Sequence, residues 1–135
     1  MARIPRSPVE PAVKVTRVWA DADGVSHFED AEIELESVDY APPAPPLDVS
    51  APFSAERALL FEFPAGWFGD WHPSPRRQLY FNLGGHLEVE VGDGEVRDVG
   101  PGAIVLLEDL TGTGHVTRVL GEGASTGVFV HLAAE

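Results

Sequence analysis

Residues 66–85 read GWFGDWHPSPRRQLYFNLGG. Positions 72, 74, 76, 78 and 80 share parity. An extended chain therefore projects His72, Ser74, Arg76, Gln78 and Tyr80 to one side, with same-side neighbours roughly 6–7 Å apart. Pro73 and Pro75 loosen that alternation at the start of the run. A face carrying these groups is costly to bury unless they bond one another, a ligand or a metal. It is thus either the solvent side of a sheet or the lining of a polar pocket. The stretch ends on Gly84-Gly85, a turn signal. Beyond it Leu87, Val89 and Val91 alternate with His86, Glu88 and Glu90, which describes a strand with one buried and one wet face.

The same punctuation runs through the rest of the chain. Fourteen Gly and 12 Pro divide short runs rich in Val, Leu, Ile and Phe, and none sustains helical periodicity. The expected strands are Val13–Trp19, His27–Glu36, Arg57–Phe63, Arg77–Leu83, His86–Val91, Glu95–Val99, Ala103–Glu108, His115–Leu120 and Thr126–Leu132. Short strands at this spacing predict an all-β sandwich or barrel. Gly92-Asp93-Gly94 supplies a tight hairpin turn. Tyr40–Pro52 holds five prolines and reads as a loop packed across the domain as a lid or rim. There is no internal repeat. The expected organisation is an N-terminal arm, 1–12, followed by one β domain, 13–135.

Composition removes several functional classes. With 135 residues, 44% of them apolar, the chain can build one compact core. Its formal charge of −13 repels phosphate backbones and anionic lipid, so neither nucleic acid nor a membrane surface is an expected partner. No apolar run approaches the roughly 20 residues needed to span a bilayer. Residues 1–11 have no apolar core of a secretory signal, and a cytoplasmic location is the expectation. Without Cys, disulfides, thiolate metal sites and cysteine nucleophiles are excluded.

The spacing in residues 66–85 resembles the first motif of the cupins, small jelly-roll barrels: Gly, five residues, His-x-His, three or four residues, Glu, six residues, Gly. Gly66, His72 and Gly85 match, while Ser74 stands at the second His and Gln78 at the Glu. In the second cupin motif Gly102 and Ala103–Leu107 fit the opening and His115 resembles the His. Glu108 replaces the motif's Pro, the interval to His115 is two residues too long, and Val119 replaces the Asn. The resemblance covers nearly the whole chain after the first dozen residues and implies a single-domain cupin jelly-roll barrel.

Cupins typically hold a divalent ion with three His and one Glu, and the carry-over leaves His72, Gln78 and His115. These can bind Zn²⁺, Mn²⁺, Ni²⁺ or Fe²⁺ but bring no negative charge, and Arg76 nearby repels a cation. The alternative is two pocket histidines bonded to Ser74 and Gln78 without an ion. No organic cofactor is expected. Arg76-Arg77 can bind a carboxylate or phosphate by bidentate hydrogen bonds or pair with nearby acids. Trp67, Phe68, Trp71 and Tyr80 either wall a pocket for an aromatic substrate or belong to the core. His27 shares parity with Ala31, Ile33 and Leu35, which places it inward as a ligand, general base or structural histidine. Glu108 is read as a pocket acid–base group, Asp109 as a turn former, and His86 as a wet-face residue; the side taken by His131 stays open.

Three readings follow. The first is a small-molecule enzyme of isomerase, cyclase or lyase type, with His72, His115, Gln78, Arg76, Tyr80 and His27 as candidate catalytic residues and a small aromatic or carboxylate-bearing substrate. The second is a metal-dependent dioxygenase, and the third a non-catalytic ligand-binding barrel. A homodimer is expected, because an unpaired β edge favours pairing.

Overall fold

A computed structural model describes residues 11–134. Eleven strands make up the regular structure: β1 (Ala12–Ala20), β2 (Ser26–Val38), β3 (Leu47–Ser50), β4 (Ala55–Phe63), β5 (Phe68–His72), β6 (Gln78–Gly84), β7 (His86–Glu90), β8 (Val96–Val99), β9 (Ile104–Glu108), β10 (His115–Leu120) and β11 (Ser125–Leu132). All nine expected strands are present. The arm's residues 1–10 lie outside the described residues, and Ala12, assigned to the arm, opens β1.

Two strands are additions. Leu47–Ser50 lies between prolines and contains none, so this part of the proline-rich loop can pair as an edge strand with β2. Phe68–His72 pairs with β10, so the strand that delivers His72 ends just where Pro73 withdraws its donor.

The strands form two sheets, ordered β3-β2-β1-β9-β6-β11-β4 and β5-β10-β7-β8. Only β1 and β9 run parallel among the sheet pairings. The fold is an all-β jelly roll, but the sheets do not close on each other as a barrel: each keeps its own edges. Val18, Tyr80, Leu87, Val89, Val91, Val99, Val105, Leu107 and Val119 fill the space between them. The alternation in β7 is as expected, with Leu87 and Val89 buried and His86 exposed.

Buried polar groups pin the sheets together. The Ser26 hydroxyl donates to the Gly114 carbonyl at 2.7 Å and accepts from the Gly92 amide at 2.7 Å. Asn82 is equally enclosed; it donates to the carbonyls of Gly85 and Val99 and accepts from Tyr80 and Ser125. With donors and acceptors satisfied, these residues fix register without a desolvation penalty.

Candidate functional site

The inner faces line a cavity of about 80 Å³, ample for a small organic molecule, since one water needs about 10–15 Å³. Phe63, Trp67, Tyr80 and Phe129 wall one part of it, and Leu87, Val89, Val99, Val105 and Leu107 another. Its polar lining is His72, Ser74, Gln78, His115 and Thr117. Among the described residues no Lys or Arg lines it.

His72 closes β5 and His115 opens β10, and the two are directly opposed in the antiparallel register. Their ring centroids lie 4.7 Å apart at an interplanar angle of 55°. The Nδ1 of His72 lies 2.6 Å from the Asp70 carbonyl. The Nδ1 of His115 lies 2.6 Å from Oδ2 of Asp109, whose side chain is wholly buried. A carbonyl and a carboxylate only accept, so both Nδ1 atoms carry the proton. In its neutral form each ring then has its lone pair on Nε2, the edge turned from its backing group. One cavity is thus lined by two imidazoles: His115, buried and backed by a carboxylate, and His72, which is exposed.

Ser74 and Gln78 form a chain beside them. The Ser74 hydroxyl donates to the Arg76 carbonyl at 2.7 Å and accepts from the Gln78 amide nitrogen at 3.2 Å. Because the one hydroxyl proton is already used, Gln78 must point its nitrogen at Ser74. Its carbonyl oxygen is left as an acceptor.

Other expected site residues are placed elsewhere. Tyr80 contributes its ring to the cavity, but its hydroxyl donates to Asn82 at 3.2 Å and so belongs to the buried network; burial raises its pKa. Arg76 leaves the shared face: Pro75 and the Ser74 turn break the alternation, and its guanidinium lies 3.6 Å from Glu56 at the surface. Glu108 does not line the cavity. It accepts from Nε of Arg17 and of Arg77, each at 2.5 Å. Burial pushes its carboxyl up, yet these bonds outweigh burial and hold it below the usual range.

His27 is also outside. Phe28 packs against the core and fixes the parity of β2, so His27 faces the other way, stacked 5.0 Å from Trp19. Its Nε2 lies 2.7 Å from Asp21 and its Nδ1 2.9 Å from Asp93. Two carboxylates can both be served only by the imidazolium, and these bonds, Asp21 first, raise the His27 pKa. The clamp stabilises the fold fully below the unfolded pKa of about 6.5 and is lost as pH rises through the higher folded value. Urea unfolding from pH 6 to 9 should therefore show a decline with pH that His27→Gln removes; an unchanged slope in the variant would contradict the clamp.

Asp109 is the functional residue that reading the sequence as a turn missed. The available signal was parity: Asp109 continues the inward row of Val105 and Leu107, whereas Glu108 falls on the opposite side. Its backbone carbonyl also accepts from Ser74, tying the two halves of the site together.

As a resident metal centre the donor set falls short. It offers two imidazoles and one neutral amide, Ser74 is committed to Arg76, and Asp109 stands behind His115 without lining the cavity, its Oδ1 buried and without a hydrogen-bond partner. Among the described residues no group of three His, Cys, Asp or Glu is placed to hold an ion. A divalent site of the cupin type would need the imidazole and carboxylate that Ser74 and Gln78 replace.

No protein-family model matches the sequence, and no curated protein matches it. Solved structures do. The Schizosaccharomyces pombe Cnp3 cupin domain superposes with a TM-score of 0.50 at 14% identity, over 91% of this chain and 84% of that one. The ethanolamine utilization protein EutQ of Salmonella typhimurium superposes at 0.44, with 15% identity over 93% of this chain and 99% of that one. A conserved Streptococcus pyogenes protein of unknown function gives 0.43 at 20% identity, over 58% of this chain and 64% of that one. Two facing sheets in jelly-roll order, overlapping a cupin domain along nine-tenths of the sequence, show that this protein has the cupin fold.

Proposed function

We propose that the protein is a small-molecule enzyme of isomerase, cyclase or lyase type that works by proton transfer in the inter-sheet cavity. The observation that carries this reading is the pair of imidazoles 4.7 Å apart, one of them braced by a buried carboxylate. The Nε2 of His115 takes a proton from the substrate, and the resulting imidazolium is stabilised by Asp109. The opposed His72, entering the cycle as the imidazolium with Nδ1–H on the Asp70 carbonyl, gives its Nε2 proton to a second atom. The proton taken up by His115 then passes to His72 and resets the pair, while Gln78 orients the substrate through its amide. A base and an acid on one cavity suffice to relocate a double bond or close a ring, with no change of oxidation state. The aromatic walls favour a flat, aromatic substrate.

The reading is tested by turnover after chelation. A compound found by screening enolisable aromatic substrates should be converted at an unchanged rate by protein dialysed against EDTA. Loss of turnover on chelation, restored by iron, would replace it with the dioxygenase reading.

A homodimer belongs to the same proposal. Every residue from Ala55 to Glu62 in edge strand β4 is exposed, and Leu60 is 84% so. Among the described residues β4 has no partner on its outer side, and an unpaired edge carrying Leu59, Leu60 and Phe61 favours pairing with a second copy.

A further inference from the structure

We propose that Arg57, Arg76 and His131 form an anion-binding rim beside the cavity that takes the carboxylate of a ligand whose apolar body lies within. This rests on the proposed function and names its substrate class: a small aromatic carboxylate.

The strand register places these residues. On β11, His131 pairs with Gln78 of β6 on one side and with Arg57 of β4 on the other. One step along the same face, Phe129 pairs with Tyr80 and Leu59, and the Phe129 and Tyr80 rings wall the cavity. His131 and Arg57 therefore continue the cavity-facing row past its polar end, next to Gln78. Arg76 reaches the same place from the turn after Ser74, its guanidinium 3.6 Å from Glu56 of β4.

The charges there are unusual for this chain. Arg17 and Arg77 share Glu108, while Arg97 holds Glu95 and Asp30. Arg57, by contrast, meets no carboxylate among the described residues, and Arg76 meets only Glu56, at a loose distance. His131 contributes a second, independent sign. Its Nδ1 is buried and has no hydrogen-bond partner, and such atoms call for a ligand, ion or water. Burial, then the charges of Arg76 and Arg57, lower its pKa, with Glu56 opposing. Two guanidiniums match a carboxylate by geometry. In a protein of net charge −13, a local excess of cation at a cavity's polar end selects anions that the rest of the surface repels.

Calorimetric titration with benzoate and with benzamide, its uncharged isostere, tests this. Wild-type protein should bind benzoate at least tenfold more tightly than benzamide. Arg57→Gln and Arg76→Gln should each remove most of that preference while leaving benzamide affinity unchanged, and Glu56→Gln should strengthen benzoate binding by removing a competitor. Equal wild-type affinity for the two probes, or a preference kept in the Arg57→Gln/Arg76→Gln double variant, would overturn the rim site and leave the cavity reading standing. Failure of the wild type to bind either probe would overturn both.

Discussion

Gly114→Ala should lower the unfolding free energy by about 3 kcal/mol or more, since strained positive-φ backbone and steric overlap both act there. Gly114 has φ +75°, a conformation that side chains other than glycine adopt at a cost. A Cβ would also overlap backbone atoms of His72 and Pro73. Backbone cannot rotate aside as a flexible side chain can. Relief requires β5 to move off β10, and that movement separates the two imidazoles. Urea denaturation reads the first effect, and loss of contacts between the His72 and His115 rings in NMR reads the second. A variant within 1 kcal/mol of wild type, with the rings still in contact, would show that this close approach is not what sets the site.

Asp109→Asn should reduce kcat/KM on an identified substrate by about 10²-fold or more. Replacing the orienting carboxylate of a Ser-His-Asp triad costs roughly 10⁴ in kcat, and the Asp109–His115 arrangement is of the same kind. The amide keeps the shape but can donate to Nδ1, which turns the ring to the tautomer whose Nε2 holds a proton and is no base. It also removes the negative charge that stabilises the imidazolium. Asp109 is a positioning residue, so a readout beyond rate is needed. Ring ¹⁵N shifts of His115 should report Nδ1–H in wild type and Nε2–H in the variant. An unaltered tautomer with unaltered kcat/KM would remove Asp109 from the site.

Much of the architecture was legible because it depends on local rules. Turn dipeptides bracket β7, and the alternation of Leu87 and Val89 with His86 and Glu88 states which face is buried. The spacing from Gly66 to Gly85 brought His72, Ser74, Gln78 and Tyr80 to one cavity, although Pro73 and Pro75 interrupt the strand between them. What escaped depends on tertiary competition. For His27, parity with Ala31, Ile33 and Leu35 pointed inward, but the larger apolar gain from burying Phe28 set the face of β2. Arg76 obeyed the count of residues yet not the geometry, because Ser74 caps the turn carbonyl. Glu108 and Asp109 were distinguishable by parity alone, and the adjacent Thr-Gly drew attention to the turn. Whether His131 faced in or out was undecidable in a strand apolar on both sides; pairing with Gln78 decided it.

The account stands on the two imidazoles acting as one proton-transfer pair. The most direct test is kcat/KM for His72→Ala, His115→Ala and the double variant on one substrate, with folding checked by denaturation. Each single change should cost about 10²–10⁴-fold, and the double variant should lose little beyond the worse single, as residues working as a unit do. Full turnover by both single variants would contradict the account.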